Sequence, residues 1–398
     1  MELGELQFLV ADADDFQRRW LSAMLTNLGA RYITEATDGL AALALLQRGE
    51  PPIDVSLLDL QLPGMDGMAL IRNLAEGKQA SSVILVSSLD SALMFSVAAM
   101  ARAYGIELLG TIEKPAAPET LAALLKLHRS PQQLAVRNAP PPVVADSDLQ
   151  MALQERQFEP LFQPKVALAG GQVKGVEAFA RWPHPQLGWI SPAVFIPLLE
   201  HSGQMEALTW IVLDKSAAAS RLWRAAGHIL PVSVNLSPST LAQPGFAERI
   251  ALWLAQQALD ANSLIFEVTE SATVSNLPAF LENLARLRML GFTLSVDDFG
   301  TGQASMQDLL RIPFSEVKID RSFVAGASQN AALEMVLSAS LELCRKLNRQ
   351  SVAVGVETQQ DWDFLSKLGC DYAQGFHIAK PMVATSIPGW MEEWAQFF

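Results

Sequence analysis

The chain has 398 residues, 50% of them hydrophobic, and a formal net charge of -13 at pH 7. That length suits two domains with sizeable cores, and the hydrophobic share excludes a disordered chain. The acidic balance argues against broad contact with a nucleic-acid backbone or an anionic membrane surface, so a phosphate-bearing ligand has to be held by local groups or by metal. The start, Met1-Glu2-Leu3-Gly4-Glu5, shows neither the basic nor the apolar region of a signal peptide. The sequence offers no apolar run near the roughly 20 residues that span a bilayer. With only Cys344 and Cys370, both read as small core residues, no disulfide framework is expected and the cytoplasm is the expected compartment.

Residues 1–128 alternate apolar runs with amphipathic stretches. Strands are expected at Phe8–Ala11, Tyr32–Glu35, Val55–Leu58, Val83–Val86 and Leu108–Ile112, with helices between them and a last helix over Pro118–Leu127. Five such repeats with short connections predict a doubly wound, five-stranded parallel sheet whose site lies at the carboxyl ends of its strands. Asp12, Asp14, Asp59, Ser87 and Lys114 fall at those ends. Carboxylates around a magnesium ion, with a hydroxyl and a lysine, suit acceptance of a phosphoryl group, because the cations balance the transferred charge. Taken singly, such residues are also ordinary strand-end polar groups.

The stretch Leu57-Leu58-Asp59-Leu60-Gln61-Leu62-Pro63-Gly64-Met65-Asp66-Gly67 is much more specific. Through it the first 128 residues resemble the receiver domain of two-component response regulators. The resemblance implies that Asp59 is the phosphoacceptor, Ser87 the switch hydroxyl and Lys114, before Pro115, the phosphate-contacting lysine. It also implies Mg²⁺ in the site and a sensor histidine kinase or phosphotransfer protein as partner. Receivers usually carry two acids in tandem after the first strand, whereas here Asp12 is followed by Ala13, where a direct magnesium ligand is usual. Asp14 would have to substitute.

Over 129–146 the periodicity stops, and Ala139-Pro140-Pro141-Pro142 marks a stiff, extended connector. A helix from about Asp146 to Gln157 is expected next. In the second domain, 147–398, strand-like segments recur at intervals of roughly 25 to 40 residues, and their count approaches eight, which predicts a (β/α)8 barrel with its chemistry at the carboxyl ends of the strands. Those ends carry Glu177, Asn235, Glu267, Asp297 with Asp298, Lys318, Glu357 and Gln374.

Asp297 and Asp298 close an apolar run before Gly300-Thr301-Gly302. Adjacent acids there either cap a solvated turn or, when buried, need a hard cation beside them. The gathering of oxygen donors at strand ends favours one or two Mg²⁺ or Mn²⁺ ions, which are able to clamp a phosphodiester and activate a water. Lys318 is then a partner of the phosphate oxygens or the water, or else a salt-bridge partner of its acidic neighbours.

These stretches are similar to the EAL-domain family of cyclic di-GMP phosphodiesterases, over essentially all of 147–398. The naming motif stands as Glu177-Ala178-Phe179, followed by Arg181-Trp182, His184-Pro185, Gly188 and Pro192. Asn235-Leu236-Ser237, Glu267 with Thr269-Glu270-Ser271, Asp297 to Gly302, Lys318-Ile319-Asp320-Arg321-Ser322-Phe323 and Gln374-Gly375-Phe376 also match. The resemblance implies Glu177, Asn235, Glu267 and Asp297 as metal ligands, Asp298 on a second ion and Lys318 near the attacked phosphate. It further implies that Glu357 belongs to the catalytic set and helps hold the site together, where as a neighbouring acid it could also compensate for a missing base, that Glu270 anchors the loop after Asp298, and that Gln163, Arg181 and Gln374 meet the dinucleotide. A homo-oligomer is expected by the same likeness, whereas DNA is not expected as a partner.

Three positions depart from the pattern. Phe179 replaces a leucine and keeps the apolar contact; Gln303 stands where an aromatic residue is common and bears only on loop packing. Val354, in Val354-Gly355-Val356-Glu357, occupies the place of the first glutamate of Glu-Gly-Val-Glu, regarded as the general base for the attacking water. General-base assistance is typically worth about 10² to 10⁴ in rate. The expectation is a barrel that binds cyclic di-GMP with metal and cuts it weakly or not at all. The alternative is a working phosphodiesterase releasing linear pGpG under control of the receiver domain, resting on the intact ligands and a metal-activated water.

Overall fold

The apolar runs of the amino-terminal part form five strands: β1 Gln7–Ala11, β2 Tyr32–Ala36, β3 Val55–Leu58, β4 Ser82–Ser87 and β5 Leu108–Glu113. All are parallel, in the order β2-β1-β3-β4-β5, the doubly wound sheet that the repeats predict. β3 and β4 are buried from end to end, as a central parallel strand covered on both faces must be. Helices α1 Asp15–Asn27, α2 Gly39–Arg48, α3 Gly67–Glu76, α4 Ser91–Ala103 and α5 Pro118–Leu125 supply that cover. Strand alternation sorts the core into two layers: Leu9, Leu58 and Leu85 pack on one face, and Phe8, Leu57 and Ile84 on the other.

This computed structural model describes residues 3–48, 51–77, 81–89, 91–128, 144–269, 274–301 and 312–398, and the chain divides into two units, Met1–Pro140 and Pro141–Phe398. In the second unit, α6 Asp146–Gln154 leads into β6 Glu159–Ala167, β7 Val173–His184, β8 Gly188–Ile190, β9 Val232–Asn235, β10 Leu264–Thr269, β11 Thr293–Phe299, β12 Glu316–Ile319, β13 Gln350–Val354 and β14 Tyr372–Gln374. α6 is shorter than the helix expected there, because Arg156 turns into the left-handed region at φ 55°. The strand order is β6-β14-β13-β12-β11-β10-β9-β7-β8, and pairing of β6 with β7 closes eight strands into the expected barrel, with β8 hanging on β7 as a short hairpin.

One strand runs against the all-parallel expectation. β6 is antiparallel to both β7 and β14. Its cause is local: β6 and β7 are joined through Gly170 and Gly171, both at positive φ, a connection too short to hold a crossover helix. The remaining barrel strands are parallel, and helices such as Met205–Ala225, Phe246–Gln257 and Ala331–Lys346 lie between them in sequence. Outward residues, among them Val176, Val234, Phe266, Leu294 and Val317, make up the core beneath those helices.

Register follows from alternation. Gln163 lies opposite Glu177, Glu177 opposite Ser233, Glu267 opposite both Asn235 and Ser295, Ser295 opposite Glu316, Lys318 opposite Val352 and Val354 opposite Gln374. Partners in register share a face, so this whole set points into the barrel. Among the described residues no helix is long and apolar enough to cross a membrane.

Candidate metal and ligand site

Lys318 is the hub of the barrel mouth. Its Nζ lies 2.8 Å from Glu177 Oε2, 2.5 Å from Glu267 Oε2 and 3.1 Å from Asp297 Oδ1, and the residue is only 2% exposed. Asn235 donates to Glu177 Oε1 at 3.0 Å; Gln374 donates to Glu177 Oε2 at 2.9 Å and to Gln163 Oε1 at 3.2 Å, and Gln163 in turn donates to the Ala379 carbonyl. Thus Gln163, Glu177, Asn235, Glu267, Asp297, Lys318 and Gln374 meet in one place.

The electrostatics of this cluster are unbalanced: three carboxylates face one ammonium. Burial pushes Glu267 well above the ordinary carboxylate range, and the neighbouring Glu177 charge adds to it. Asp297 is raised mainly by burial. Burial pushes Glu177 up too, but the Lys318 charge and hydrogen bonds from Lys318, Asn235 and Gln374 outweigh it and hold the carboxyl low. Lys318 is kept well above its usual value because those acids overcome the cost of its burial. Oxygen atoms of Glu177, Glu267 and Asp297 come within 4.8 Å of one another, a hard donor set that fits Mg²⁺ or Mn²⁺.

A bulge places the tandem acids. β11 pairs with β12 in step up to Val296 and Val317, then resumes at Phe299 and Ile319 with one residue extra. Asp298 takes the left-handed conformation at φ 55°, which Asp tolerates better than most residues. Asp297 therefore stays with the cluster, and Asp298 follows at the rim, pushed to about 6 by burial and then by Asp297 and Asp320. Gly300 continues the turn at φ 95°, and a Cβ there would lie 2.8 Å from the Phe323 ring.

Val354 ends β13 facing inward beside Gln374, half-buried at the mouth. Glu357 is not brought into the cluster: after the left-handed turn at Gly355 the chain leaves the barrel, and Glu357 is exposed, paired with Arg321 at 3.0 Å. Arg181 lies on the part of β7 that extends past the barrel, opposite Glu159, with its guanidinium 5.6 Å from the Phe179 ring centroid. Its pKa is lowered by burial, against the pull of Glu177. Glu270, Gly302 and Gln303 lie outside the described residues.

In the first unit, Lys114 Nζ is 2.7 Å from both Asp12 Oδ2 and Asp59 Oδ2, and Ser87 ends the adjacent β4. Burial pulls Lys114 down, but its hydrogen bonds to the two carboxylates, with their charge, outweigh that and raise it. Gly67 permits this packing, since a Cβ there would sit 2.7 Å from the Asp59 carbonyl. Asp14 is spent elsewhere: its carboxylate caps α1 by accepting from Gln17 N, while its own N–H donates to Asp12 Oδ1. The substitution of Asp14 for the missing acid at Ala13 therefore finds no support in the loop geometry. The carboxylates that face Lys114 are Asp12 and Asp59, fewer than the resemblance implies for Mg²⁺.

Sequence profiles of two domain families match the chain: the EAL domain over residues 146–381 and the response regulator receiver domain over residues 8–126. A curated relative, the cyclic di-GMP phosphodiesterase RocR of Pseudomonas aeruginosa, is 34% identical over 96% of this chain and 97% of its own length. The chain belongs to the EAL domain family. It is a response regulator by its receiver domain. MucR of Pseudomonas aeruginosa, a bifunctional diguanylate cyclase/cyclic di-GMP phosphodiesterase, is 40% identical over 60% of this chain and 35% of its own length.

Solved EAL structures superpose on the barrel. The PaMucR phosphodiesterase in complex with c-di-GMP gives a TM-score of 0.57 at 40% identity, covering 61% of this chain and 98% of that one. The FimX EAL domain from Pseudomonas aeruginosa bound to c-di-GMP gives 0.55 at 25% identity, covering 60% and 97%. Sequence reasoning missed two inward residues of this EAL barrel, Lys165 and Glu316, which lie one layer below the mouth. The signal was present: each stands two residues from a recognised site residue, Gln163 or Lys318, and so shares its face.

Proposed function

We propose that this response regulator binds cyclic di-GMP in its EAL barrel together with Mg²⁺ or Mn²⁺ and hydrolyses it weakly or not at all. The observation that carries this reading is Val354, an isopropyl side chain facing the mouth at the position of the expected proton acceptor. Glu177, Asn235, Glu267 and Asp297 would hold the first ion and Asp298 a second. When bound, the metal supplies charge that neutralises phosphate and lowers the pKa of water. Lys318 offers its ammonium to a phosphate oxygen, while Gln163, Arg181 and Gln374 orient the dinucleotide. Glu357, tied to Arg321 at the rim, steadies the β13 exit and does not replace the missing base.

The dinucleotide-bound relatives support the ligand, and the net negative charge at the mouth supports the metal. The test is to incubate the protein with cyclic di-GMP and Mn²⁺, follow product, and measure binding in Ca²⁺. Binding with little product is expected, and Val354→Glu is expected to gain at least about a hundredfold in turnover. Turnover near about one per second in the natural chain would overturn the reading. The second reading, an active phosphodiesterase yielding linear pGpG, is favoured by the otherwise complete ring of oxygen donors with Lys318 among them.

In the receiver unit, Asp59 is the proposed phosphoacceptor, with Lys114 positioned to meet the phosphate and a histidine kinase or phosphotransfer protein as donor. Incubation with acetyl phosphate and Mg²⁺ should add one phosphoryl group to the intact mass; an unchanged mass counts against it. The two thiols, both free and buried, suit a reducing cytoplasm, and pairing of barrels into a homo-oligomer follows from the family likeness.

A further inference from the structure

Below the mouth the barrel carries a second charged layer where apolar side chains ordinarily fill the interior. Lys165 Nζ is 2.5 Å from Glu316 Oε2, with side chains 4% and 2% exposed. β6 and β12 are separated in the sheet by β13 and β14, so the pair reaches across the interior and does not follow the wall. Tyr372, inward on β14, places its ring centroid 5.7 Å from the same ammonium. Glu316 shares a register row with Ser295 and Glu267 and stands two residues before Lys318. The Lys165 charge already acts on Glu267.

A buried ion pair is a poor source of stability, since well-packed apolar residues do as well or better. Something other than stability must account for this one. The two free acceptors beside it, Glu316 Oε1 and Ser295 Oγ, are buried without a partner among the described residues, which makes the floor a polar compartment continuous with the carboxylates above. An ammonium loose in that compartment would move to the nearest excess of negative charge, the mouth cluster. There it would compete with a divalent cation for the same oxygens.

We propose that Glu316 is a positioning residue for the metal site: it pins the Lys165 ammonium to the barrel floor and so keeps Glu177, Glu267 and Asp297 available to the cation. This rests on the metal reading given above. Without the pin, five charges would redistribute, with two ammonium groups sharing three carboxylates and little net attraction left for a divalent ion.

The experiment is titration calorimetry of the full chain with Mn²⁺ alone, on the natural protein, Glu316→Gln and the double variant Lys165→Met with Glu316→Met, each checked for fold by circular dichroism. Glu316→Gln is expected to weaken Mn²⁺ binding at least about tenfold, and the double variant to return within about threefold of the natural protein. An unchanged affinity in folded Glu316→Gln overturns the proposal. So does a double variant as weak as the single one, since the pair would then act as scaffold. Should Glu316→Gln fail to fold, the double variant decides alone: natural affinity supports the pinning role and a tenfold loss overturns it. Absence of Mn²⁺ binding in the natural protein would instead remove the metal reading, before any variant is compared.

Discussion

Lys114 in the receiver sheet and Lys318 in the barrel face the same problem at different scales. Lys114 serves two carboxylates at the edge of an open sheet, where its side chain is still 11% exposed. Lys318 serves three and is only 2% exposed. In the barrel the excess of acids over ammonium, together with burial, lifts Glu267 and Asp297. The number of acids per ammonium, taken with burial, therefore separates a site that rests quietly on its lysine from one that calls for a further cation.

Removing each lysine would sharpen this contrast most. Lys318→Met leaves three buried acids without counter-charge and is expected to destabilise the metal-free barrel by about 3 to 5 kcal/mol, much of it recovered with Mn²⁺. Lys114→Met, at the wetter site, is expected to cost about 1 to 2 kcal/mol. Hydrogen exchange of β10–β12 against β3–β4 reads the two effects separately, and equal losses would break the comparison.

A smaller effect is expected from pH. Asp298 is raised to about 6 in the fold, so its contribution to stability is present near pH 4 and lost as pH rises through about 6. The metal-free barrel should lose this contribution across that window while its Mn²⁺ affinity grows, because deprotonated acids are better ligands. Melting curves of the natural chain and Asp298→Asn between pH 4.5 and 7 test this; a variant with the same slope as the natural chain would rule Asp298 out as its source. The smallest effect belongs to Asp14. As the cap of α1 it is worth about 1 kcal/mol, and Asp14→Ala should lower the receiver's melting temperature without changing phosphorylation of Asp59 by acetyl phosphate. A drop in phosphorylation would show that Asp14 also serves the receiver site.

Much of this was legible in the amino acids. The central receiver strands stood out because fully buried parallel strands are largely apolar runs, as in Val83–Val86. The mouth residues stood out because carboxylates and amides at strand ends have few reasons to be there. What stayed hidden depends on three dimensions: the bulge that seats Asp297 and Asp298, the use of Asp14 as a cap and the exit of the chain that takes Glu357 to Arg321. The antiparallel β6 was hidden as well, although Gly170-Gly171 between two strand-like runs was a sign that no helix fits there.

That reversed first strand gives the EAL unit an unusual doorway. The chain arrives through α6 at the rim, with Gln157 accepting from the Trp182 indole, and only afterwards descends toward the floor. Glu159 is the first residue of the strand and already lies across from Arg181; Gln163, four residues on, lies across from Glu177. Arg156, just before that strand, pairs with Asp214 and gives its carbonyl to Lys215, so the polypeptide entering the barrel is fastened at one point both to the β6–β7 hairpin and to the helix Met205–Ala225.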